Sequence, residues 1–187
     1  MRIISGERKG RRLLGPDKKS KTRPTKDQVK EAVFDILGPI KKDSYALDLF
    51  AGTGQIGIEF LSRGCGFAYF CEQSPYMVNC IIENLNKAKY TDKALVLKGD
   101  FRRRLNHIDK KVDYIYLDPP YYQDMVKEAM EKLITKNVMN EGATIVVETA
   151  EDESFEYTET YELLTMREYK FNKIYIFKFN YKEKEEQ

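Results

Sequence analysis

Short apolar runs alternate along this chain with longer segments in which apolar residues recur at helical spacing. The runs predict strands near residues 45–50, 67–72, 94–98, 112–117 and 143–148. The segments between them predict helices at residues 55–63, from 75 to about 86, and at 123–136. This alternation is typical of an α/β fold with a doubly wound, mostly parallel sheet, which binds ligands at the carboxyl ends of its strands.

The two ends of the chain depart from this alternation. Thr25 and Gln28 form a capping-box pattern, which predicts a further helix that ends before Gly38-Pro39. Its apolar stripe consists of Val29, Ala32, Val33, Ile36 and Leu37. Near the other end, residues 161–166 and 173–179 are rich in β-formers with no helix between them. They predict an antiparallel hairpin at the edge of the sheet.

Length and composition exclude several classes of protein. The 187 residues fit one domain with a sizeable core. No apolar stretch approaches the ~18 residues of a membrane span, and no signal peptide begins the chain, so we expect a cytoplasmic protein. Cys65, Cys71 and Cys80 lack metal-binding spacing, and His107 is the only histidine. A disulfide framework, a metal site and a histidine-dependent hydrolase are therefore not expected.

Charge is distributed unevenly although the whole chain carries only +2. Residues 1–30 hold 11 Lys or Arg against 3 Asp or Glu. We predict a basic arm over residues 1–24, a catalytic domain over residues 25–182 and a charged tail over residues 183–187. Such an arm is typical of phosphate binding, and a solvated basic tail is the alternative.

The arm has the pattern of a folded element. Ile3, Ile4, Leu13 and Leu14 bracket Gly6 and Gly10, which favours a short β-hairpin that holds the basic side chains in a defined place.

A glycine-rich turn follows the first strand. Gly52 and Gly54 lie within the turn Ala51–Gly57 and allow a ligand to approach the backbone, and the helix that follows favours a carboxylate or phosphate. Glu72 ends the next strand, 20 residues after Gly52, where an acid can accept both hydroxyls of a ribose. The same pattern is the G-x-G-x-x-G of nicotinamide enzymes, so alone it does not identify the ligand.

Two further strand ends separate these alternatives. Asp100 follows the third strand and Asp118 follows the fourth. S-adenosylmethionine uses all four strand ends, so this spacing favours it over a nicotinamide cofactor.

The turn after the fourth strand carries the most specific chemistry, the sequence Asp118-Pro119-Pro120-Tyr121. An exocyclic amine on a purine is a poor nucleophile because its lone pair is delocalised into the ring. A carboxylate and the carbonyl of the first proline can each accept one of its N–H groups, and the following aromatic ring can stack on the base. The turn therefore favours methyl transfer to an exocyclic amine, and the alternative is a strand ended by prolines.

Two motifs resemble those of adenosylmethionine-dependent amino-methyltransferases. Phe50, Gly52 and Gly54 match F-x-G-x-G, and Asp118–Tyr121 matches [D/N]-P-P-[Y/F/W]. With Arg2–Gly6, Lys9–Arg11, Thr22–Thr25 and Lys30–Leu37, nearly the whole chain resembles the RsmD family. Enzymes of this family methylate a guanine N2 of small-subunit ribosomal RNA.

The resemblance implies a Rossmann-like class I methyltransferase fold and S-adenosylmethionine as cofactor. The residues expected to bind it are Asp48, Phe50, Gly52, Gly54, Glu72, Asp100 and Phe101. The expected catalytic residues are Asp118, Pro119, Pro120 and Tyr121. The expected RNA-binding residues are Arg8, Lys9, Arg11, Arg12 and Arg23. The implied substrate is 16S rRNA within an assembling small ribosomal subunit.

The chain departs from the family pattern at two places. Thr149 stands where the family more often has serine or histidine, and Phe171-Asn172 replaces the usual Tyr-Gly pair. Neither change touches the predicted site of methyl transfer.

Four other functions share part of this pattern. A DNA adenine-N6 methyltransferase has both motifs but usually a target-recognition domain as well, and a protein-glutamine methyltransferase favours Asn at position 118. A nicotinamide oxidoreductase would not explain the Asp118–Tyr121 turn or the basic arm. An RNA-binding module without enzymatic activity needs the arm but no cofactor pocket.

Overall fold

A computed structural model describes residues 1–15, 27–121 and 125–181 of the chain. Its strands are β1 (Tyr45–Asp48), β2 (Phe67–Glu72), β3 (Ala94–Lys98), β4 (Val112–Leu117), β5 (Met139–Ala150), β6 (Tyr161–Glu168) and β7 (Asn172–Phe179). Its helices are α1 (Asp27–Leu37), α2 (Gln55–Ser62), α3 (Pro75–Ala88), α4 (Phe101–Arg104) and α5 (Met125–Thr135). Short 3₁₀ turns lie at Thr91–Lys93 and Leu105–His107.

The seven strands form one sheet in the order β3-β2-β1-β4-β5-β7-β6. The first five are parallel, while β7 runs antiparallel between β5 and the edge strand β6. This confirms the expected Rossmann-like α/β fold with an antiparallel C-terminal hairpin. Because β1 and β4 are neighbours, the strand order reverses at the point where such folds bind ligands.

Helices cover the sheet on both faces. Apolar residues of α1, α2 and α3 share one buried cluster with one face of the sheet, and those of α4 and α5 share a second cluster with the other. Apolar runs in the central strands are buried on both sides, which explains why their sequence shows little alternation.

Helix α1 buries Val29 and Val33 of its predicted apolar stripe, but the buried face is shifted to one side of that stripe. Ile36 is 38% exposed, whereas Phe34 and Lys30 are buried. Lys30 donates from Nζ to the carbonyl of Arg2 (2.8 Å) and lies 3.9 Å from the carboxylate of Glu59. The helix is therefore turned so that a buried lysine can meet an acid on α2. The predicted cap residue Thr25 lies outside the described residues.

Residues 1–14 fold back on themselves as a hairpin joined by one antiparallel bridge, between Arg2 and Arg12. Ile3 donates to the carbonyl of Arg11 (3.0 Å), and Gly10 donates to the carbonyl of Ile3 (2.9 Å). The side chains of Ile3 and Leu13 are buried in the cluster that α1, α2 and α3 share. The basic side chains accordingly project from a fixed backbone.

Glu59 of α2 anchors this hairpin. Its carboxylate is fully buried and accepts the backbone N–H groups of Ile4 (2.8 Å) and Ser5 (2.9 Å), and it also accepts Arg63 Nε (2.9 Å). The next turn of the hairpin is held by Ser62, whose carbonyl accepts from the N–H of Glu7 (2.7 Å). These bonds hold the hairpin by its backbone.

Two observations concern membrane proteins and disulfide-linked proteins, the classes that the sequence argues against. Within the described ranges, no helix combines the length and apolar character needed to cross a membrane. Cys65, Cys71 and Cys80 are buried free thiols, as expected for cysteines that pack in a core.

Candidate active site

A cavity of about 480 Å³ opens at the carboxyl edge of the sheet. It is lined by residues that follow β1, β2, β3 and β4 in turn, and by residues of the C-terminal hairpin. The lining includes eight of the eleven residues expected to bind the cofactor or act in catalysis, namely Phe50, Glu72, Asp100, Phe101, Asp118, Pro119, Pro120 and Tyr121. Asp48, Gly52 and Gly54 lie outside the lining.

Glu72 ends β2 with its carboxylate fixed by two backbone donors. Oε2 accepts the N–H of Gly52 (2.8 Å), and Oε1 accepts the N–H of Ser74 (2.7 Å), which is the cap of α3. A carboxylate has about four acceptor positions, so these two bonds orient Glu72 and leave room for two hydroxyls from the cavity.

The glycine turn prepares the start of α2. Gly54 is the N-cap in a left-handed conformation (φ 78°), and a Cβ there would lie 3.3 Å from the side chain of Ile81. The N-cap residue makes no side-chain hydrogen bond to this helix. Asp48 accepts the N–H of Gly57 in the first turn, and the N–H groups before Gly57 face the turn where a ligand can accept them.

Asp48, the last residue of β1, supports this turn through a hydrogen bond. Its buried carboxylate accepts the N–H of Gly57 (3.0 Å), which joins the end of β1 to α2. Burial raises the pKa of Asp48, the Gly57 bond opposes that rise and the nearby charge of Glu72 adds to it, so that the pKa is about 7. The contact between Asp48 and a ligand that the sequence predicts stays a prediction.

Asp100 and Arg102 form a fixed pair beside the end of β3. Asp100 Oδ1 accepts the backbone N–H of Arg102 (2.8 Å), and Oδ2 accepts from its guanidinium (2.9 Å). The same guanidinium donates to both carboxylate oxygens of Glu128 on α5 (2.5 Å each). Charge and hydrogen bonds thus hold Asp100 in place at the cavity.

An aromatic wall completes the side of the cavity near Asp100. The rings of Phe50 and Phe101 meet edge to face at 5.2 Å, and the guanidinium of Arg102 lies 4.7 Å from the centroid of Phe101. Such a wall suits a flat, uncharged ring system.

The Asp118–Tyr121 turn forms the opposite side of the cavity. Asp118 and Tyr121 are half-buried, Pro119 is buried and Pro120 is exposed. Both prolines lack a backbone N–H, so the turn presents acceptors rather than donors to the cavity.

The sequence did not single out Glu148, which lies two residues before the end of β5 and also lines the cavity. Its Oε2 accepts Tyr116 Oη (2.8 Å), and its Oε1 accepts Asn172 Nδ2 (2.5 Å) and Tyr121 Oη (3.4 Å). One signal could have found it, because Glu148 is an acid near the end of a buried strand, like Glu72 and Asp118.

Four of the five residues predicted to bind RNA lie on the N-terminal hairpin, outside the cavity. Lys9 and Arg12 are exposed, Arg8 stacks beside Tyr90 (5.8 Å) and pairs with Glu7, and Arg11 donates to the carbonyl of Lys87. Arg23 lies outside the described residues.

The tip of the hairpin is remote from the glycine turn. The N–H of Arg8 donates to Ser62 Oγ (3.1 Å) at the last residue of α2, whereas the glycine turn precedes the first. The 8 residues of α2 span ~12 Å, so Arg8 and Lys9 lie at least that far along the helix from the cofactor turn.

Comparisons with known proteins agree with this geometry. The sequence model of the family described as "Conserved hypothetical protein 95" matches residues 1–178. The chain is 37% identical over 169 residues to the "Putative rRNA methyltransferase YlbH" of Bacillus subtilis, covering 89% of this chain and 90% of the relative. It is 34% identical over 168 residues to the "Ribosomal RNA small subunit methyltransferase D" of Haemophilus influenzae, covering 88% and 86%.

A solved structure shows the same likeness in three dimensions. The "Putative methyltransferase yhhF" of Escherichia coli superposes with a TM-score of 0.86 at 26% identity, covering 96% of this chain and 98% of that protein. With a family match over residues 1–178 and relatives above 30% identity, the chain belongs to the RsmD family, whose sequence model is described as "Conserved hypothetical protein 95".

Proposed function

We propose that this protein transfers a methyl group from S-adenosylmethionine to the exocyclic N2 amine of a guanine in 16S ribosomal RNA. One observation carries the proposal: the Asp118–Tyr121 turn shares a cavity with Glu72 and Asp100, which end two other strands. The names of the Haemophilus influenzae and Bacillus subtilis relatives support rRNA as the substrate.

The residues present fit S-adenosylmethionine. Glu72 suits the ribose hydroxyls, Asp100 suits the adenine amino group, and Phe101 and Phe50 form a wall for the adenine ring. The N–H groups at the start of α2, with Gly52 and Gly54, suit the carboxylate of the amino-acid part, and Asp48 supports that turn. A cavity of about 480 Å³ is within the usual range for such ligands. Bound there, the donor supplies a methyl group made electrophilic by its sulfonium.

The Asp118–Tyr121 turn prepares the nucleophile. Asp118 and the carbonyl of Pro119 accept the two N–H groups of the guanine N2 amine, which draws the lone pair out of the ring. Tyr121 stacks on the base, and Pro120 keeps the turn stiff. The guanine must leave its stack to reach them, which costs a few kcal/mol and favours an unpaired target.

The transfer itself needs little acid–base chemistry. As the bond from N2 to the methyl carbon forms, the bond from that carbon to sulfur breaks. The amine becomes strongly acidic once it is methylated, so its proton leaves after the transfer, either to the Asp118 carboxylate or to water once the site opens. The chain's contribution is to hold the two reacting atoms ~3–3.5 Å apart in a site that excludes water.

The basic residues bind the RNA away from the reacting base. Lys9 and Arg12 are exposed on a hairpin whose backbone is fixed, so they suit phosphates of an ordered RNA surface. Arg8 and Arg11 extend this surface, and we expect Arg23 to contact the RNA as well. A hairpin tip remote from the cavity favours a large substrate, such as an assembling small subunit in the cytoplasm. On this view residues 1–24 form the RNA-contacting arm, and residues 25–182 form the catalytic domain.

Transfer of a labelled methyl group tests the proposal. The substrates are small subunits from cells that lack this protein, free 16S rRNA, duplex DNA and total protein, and mass spectrometry identifies the labelled nucleoside. We expect N2-methylguanosine in the small subunits. Label in DNA or protein would refute the rRNA assignment, and the absence of both label and S-adenosylmethionine binding would refute methyl transfer.

A further inference from the structure

We propose that Glu148 reads the N1–H group of the target guanine, and so determines which purine the enzyme accepts. This inference rests on the proposed function, because it assigns a specificity residue to the same cavity. Glu148 accepts N1–H while Asp118 accepts the neighbouring N2 amine.

The register of the sheet places these two acids side by side. Leu117 of β4 lies opposite Val147 of β5 in a parallel pair, so Asp118 and Glu148 are the next residues on adjacent strands. Both line the cavity. Residues opposite each other on neighbouring strands are ~5 Å apart, a distance that one base edge can bridge.

The contacts of Glu148 keep it an acceptor. Tyr116, Asn172 and Tyr121 donate to it, from β4, from β7 and from the catalytic turn. Burial raises the pKa of Glu148, and the three donors oppose that rise because they favour the carboxylate. In the described part of the chain these three donors occupy three of about four acceptor positions, and one position on Oε2 remains for a ligand.

A pair of acidic acceptors distinguishes guanine from adenine. The Watson–Crick edge of guanine presents donors at N1 and at the adjacent N2 amine. Adenine presents an acceptor at N1, which would face a buried carboxylate and leave both lone pairs unsatisfied. The amine next to N1 of adenine can also donate to Asp118, so it is the carboxylate that faces N1 which favours guanine.

Asn172 belongs to this arrangement, because it donates to Glu148 from the C-terminal hairpin. Its side chain is buried and donates to Glu148 Oε1 from β7, so the amide fixes the carboxylate from the C-terminal hairpin. Tyr116 fixes the other oxygen from β4. Glu148 is thus oriented from two sides before any base arrives.

A base analogue tests the inference with the unaltered enzyme. Two small-subunit particles are compared that differ only at the methylated nucleotide, which carries guanosine or 2-aminopurine riboside. The analogue keeps the N2 amine but has no hydrogen on N1. We expect kcat/KM to be about 10- to 100-fold lower for the 2-aminopurine particle, the effect of one unsatisfied buried acceptor pair. Equal rates on the two particles would overturn the inference without any variant.

The Glu148→Gln variant then tests whether Glu148 causes the preference for guanosine over the analogue, because an amide can donate to the unprotonated N1 of the analogue. We expect its preference for guanosine to fall to within about threefold. The matched control is Tyr116→Phe, which removes one donor from the same network but keeps the carboxylate, and it should retain the preference. Thermal unfolding and S-adenosylmethionine binding verify that each variant is folded.

Two results would separate the possible failures. If Glu148→Gln and Tyr116→Phe slow both particles equally with the preference retained, Glu148 only supports the fold of the site and the inference is wrong. If the unaltered enzyme transfers no methyl group to the guanosine particle, the proposed function itself fails.

Discussion

The cavity and the hairpin both depend on carboxylates held by hydrogen-bond donors, but they use them differently. Glu59 beneath the hairpin is fully buried and satisfied by backbone N–H groups, Arg63 and Lys30. Glu72, Asp100 and Glu148 are also held by donors, yet all three line the cavity. A carboxylate that is enclosed on all sides fixes one element on another, whereas one fixed from behind can act on a ligand.

The basic residues of the two regions also differ, because one beside the cavity is paired with acids and two on the hairpin are exposed. Arg102 beside the cavity is engaged by Asp100 and Glu128, and its task is to hold an acid in place. Lys9 and Arg12 on the hairpin are exposed on a backbone fixed by Glu59 and Ser62. We infer that the cavity performs the chemistry and the hairpin supplies affinity, so changes in the two regions should affect different quantities.

The largest effect is expected from Asp118→Ala. It removes an acceptor of the N2 amine, so the rate of methyl transfer should fall at least ~10³-fold. S-adenosylmethionine should bind with a Kd within a few-fold of the original, since Glu72 and Asp100 are unchanged. Single-turnover transfer and calorimetric titration measure the two quantities.

The control for Asp118→Ala is Asp35→Ala, the same change at an exposed position of α1 outside the cavity. Its transfer rate should be unaltered. Normal transfer by Asp118→Ala would show that this carboxylate does not act on the amine.

Next in size is the effect of Glu59→Ala on stability. The change leaves Lys30 buried without its acid and removes the acceptor of two hairpin N–H groups, which should lower the free energy of unfolding by ~3–5 kcal/mol. Glu83→Ala is the matched control, because Glu83 forms an ion pair with Lys87 on α3 in which both side chains are largely exposed. That loss should stay below ~1 kcal/mol in urea unfolding. Equal losses would contradict the anchoring role of Glu59.

The pH dependence of stability tests the buried acid beneath the cavity. Because burial raises the pKa of Asp48 to about 7, the native state binds this proton more tightly than the unfolded chain does. The free energy of unfolding should therefore fall as the pH rises from about 4 to about 7. Asp48→Asn abolishes this part of the fall and should be more stable than the original protein at pH 8, by ~2–4 kcal/mol.

Urea unfolding of both proteins at pH 4, 6 and 8 measures that difference. The two free energies should converge at pH 4. A constant difference at all three pH values would mean that Asp48 does not titrate in this range.

Two glycines with the same backbone conformation separate strain from docking. Gly6 and Gly10 both have φ of 83°, but a Cβ at Gly6 would lie 1.8 Å from the carbonyl oxygen of Ser62, whereas at Gly10 it would meet nothing within 4 Å. Gly10→Ala should cost ~1 kcal/mol of unfolding free energy, from strain alone. Gly6→Ala should cost at least ~2 kcal/mol and weaken binding to small subunits, because the hairpin must leave α2. Equal costs would show that the tip is not docked on Ser62.

The smallest effect is expected from reversing two exposed charges, in Lys9→Glu with Arg12→Glu. Each lost phosphate contact lowers the salt dependence of binding, so the log–log slope should fall by ~0.7–0.9 per contact. KM for small subunits should rise several-fold with kcat unchanged. The control reverses Lys110 and Lys136, which are exposed outside the hairpin. If both pairs of changes raise KM equally, binding depends on net charge and not on the hairpin.

The sequence predicted the parallel part of the sheet closely, because buried parallel strands are apolar along their length. The predicted limits of β2, β3 and β4 agree with the structure. Strand β5 is longer than predicted, from Met139 to Ala150, since its last residues pair with β7. That pairing depends on a distant segment, which a local pattern does not reveal.

The sequence predicted cofactor and catalytic residues where an acid or a turn directly follows an apolar run, and Glu72, Asp100 and Asp118 of these line the cavity. What the sequence missed depends on contacts across elements. Lys30, which pairs with Glu59, and Phe34 are buried beside Val29 and Val33, so the buried face of α1 is shifted from its apolar stripe. Glu148 becomes part of the site through Tyr116 and Asn172, which belong to two other strands.

The central claim is that this chain methylates guanine N2 in 16S rRNA by means of the Asp118 turn. The most direct measurement is nucleoside mass spectrometry of 16S rRNA from cells whose gene for this protein is deleted, and from the same cells supplied with the original protein or Asp118→Ala. The account predicts that N2-methylguanosine decreases on deletion, returns with the original protein and stays low with Asp118→Ala. An unchanged level after deletion, or full recovery with Asp118→Ala, would contradict it.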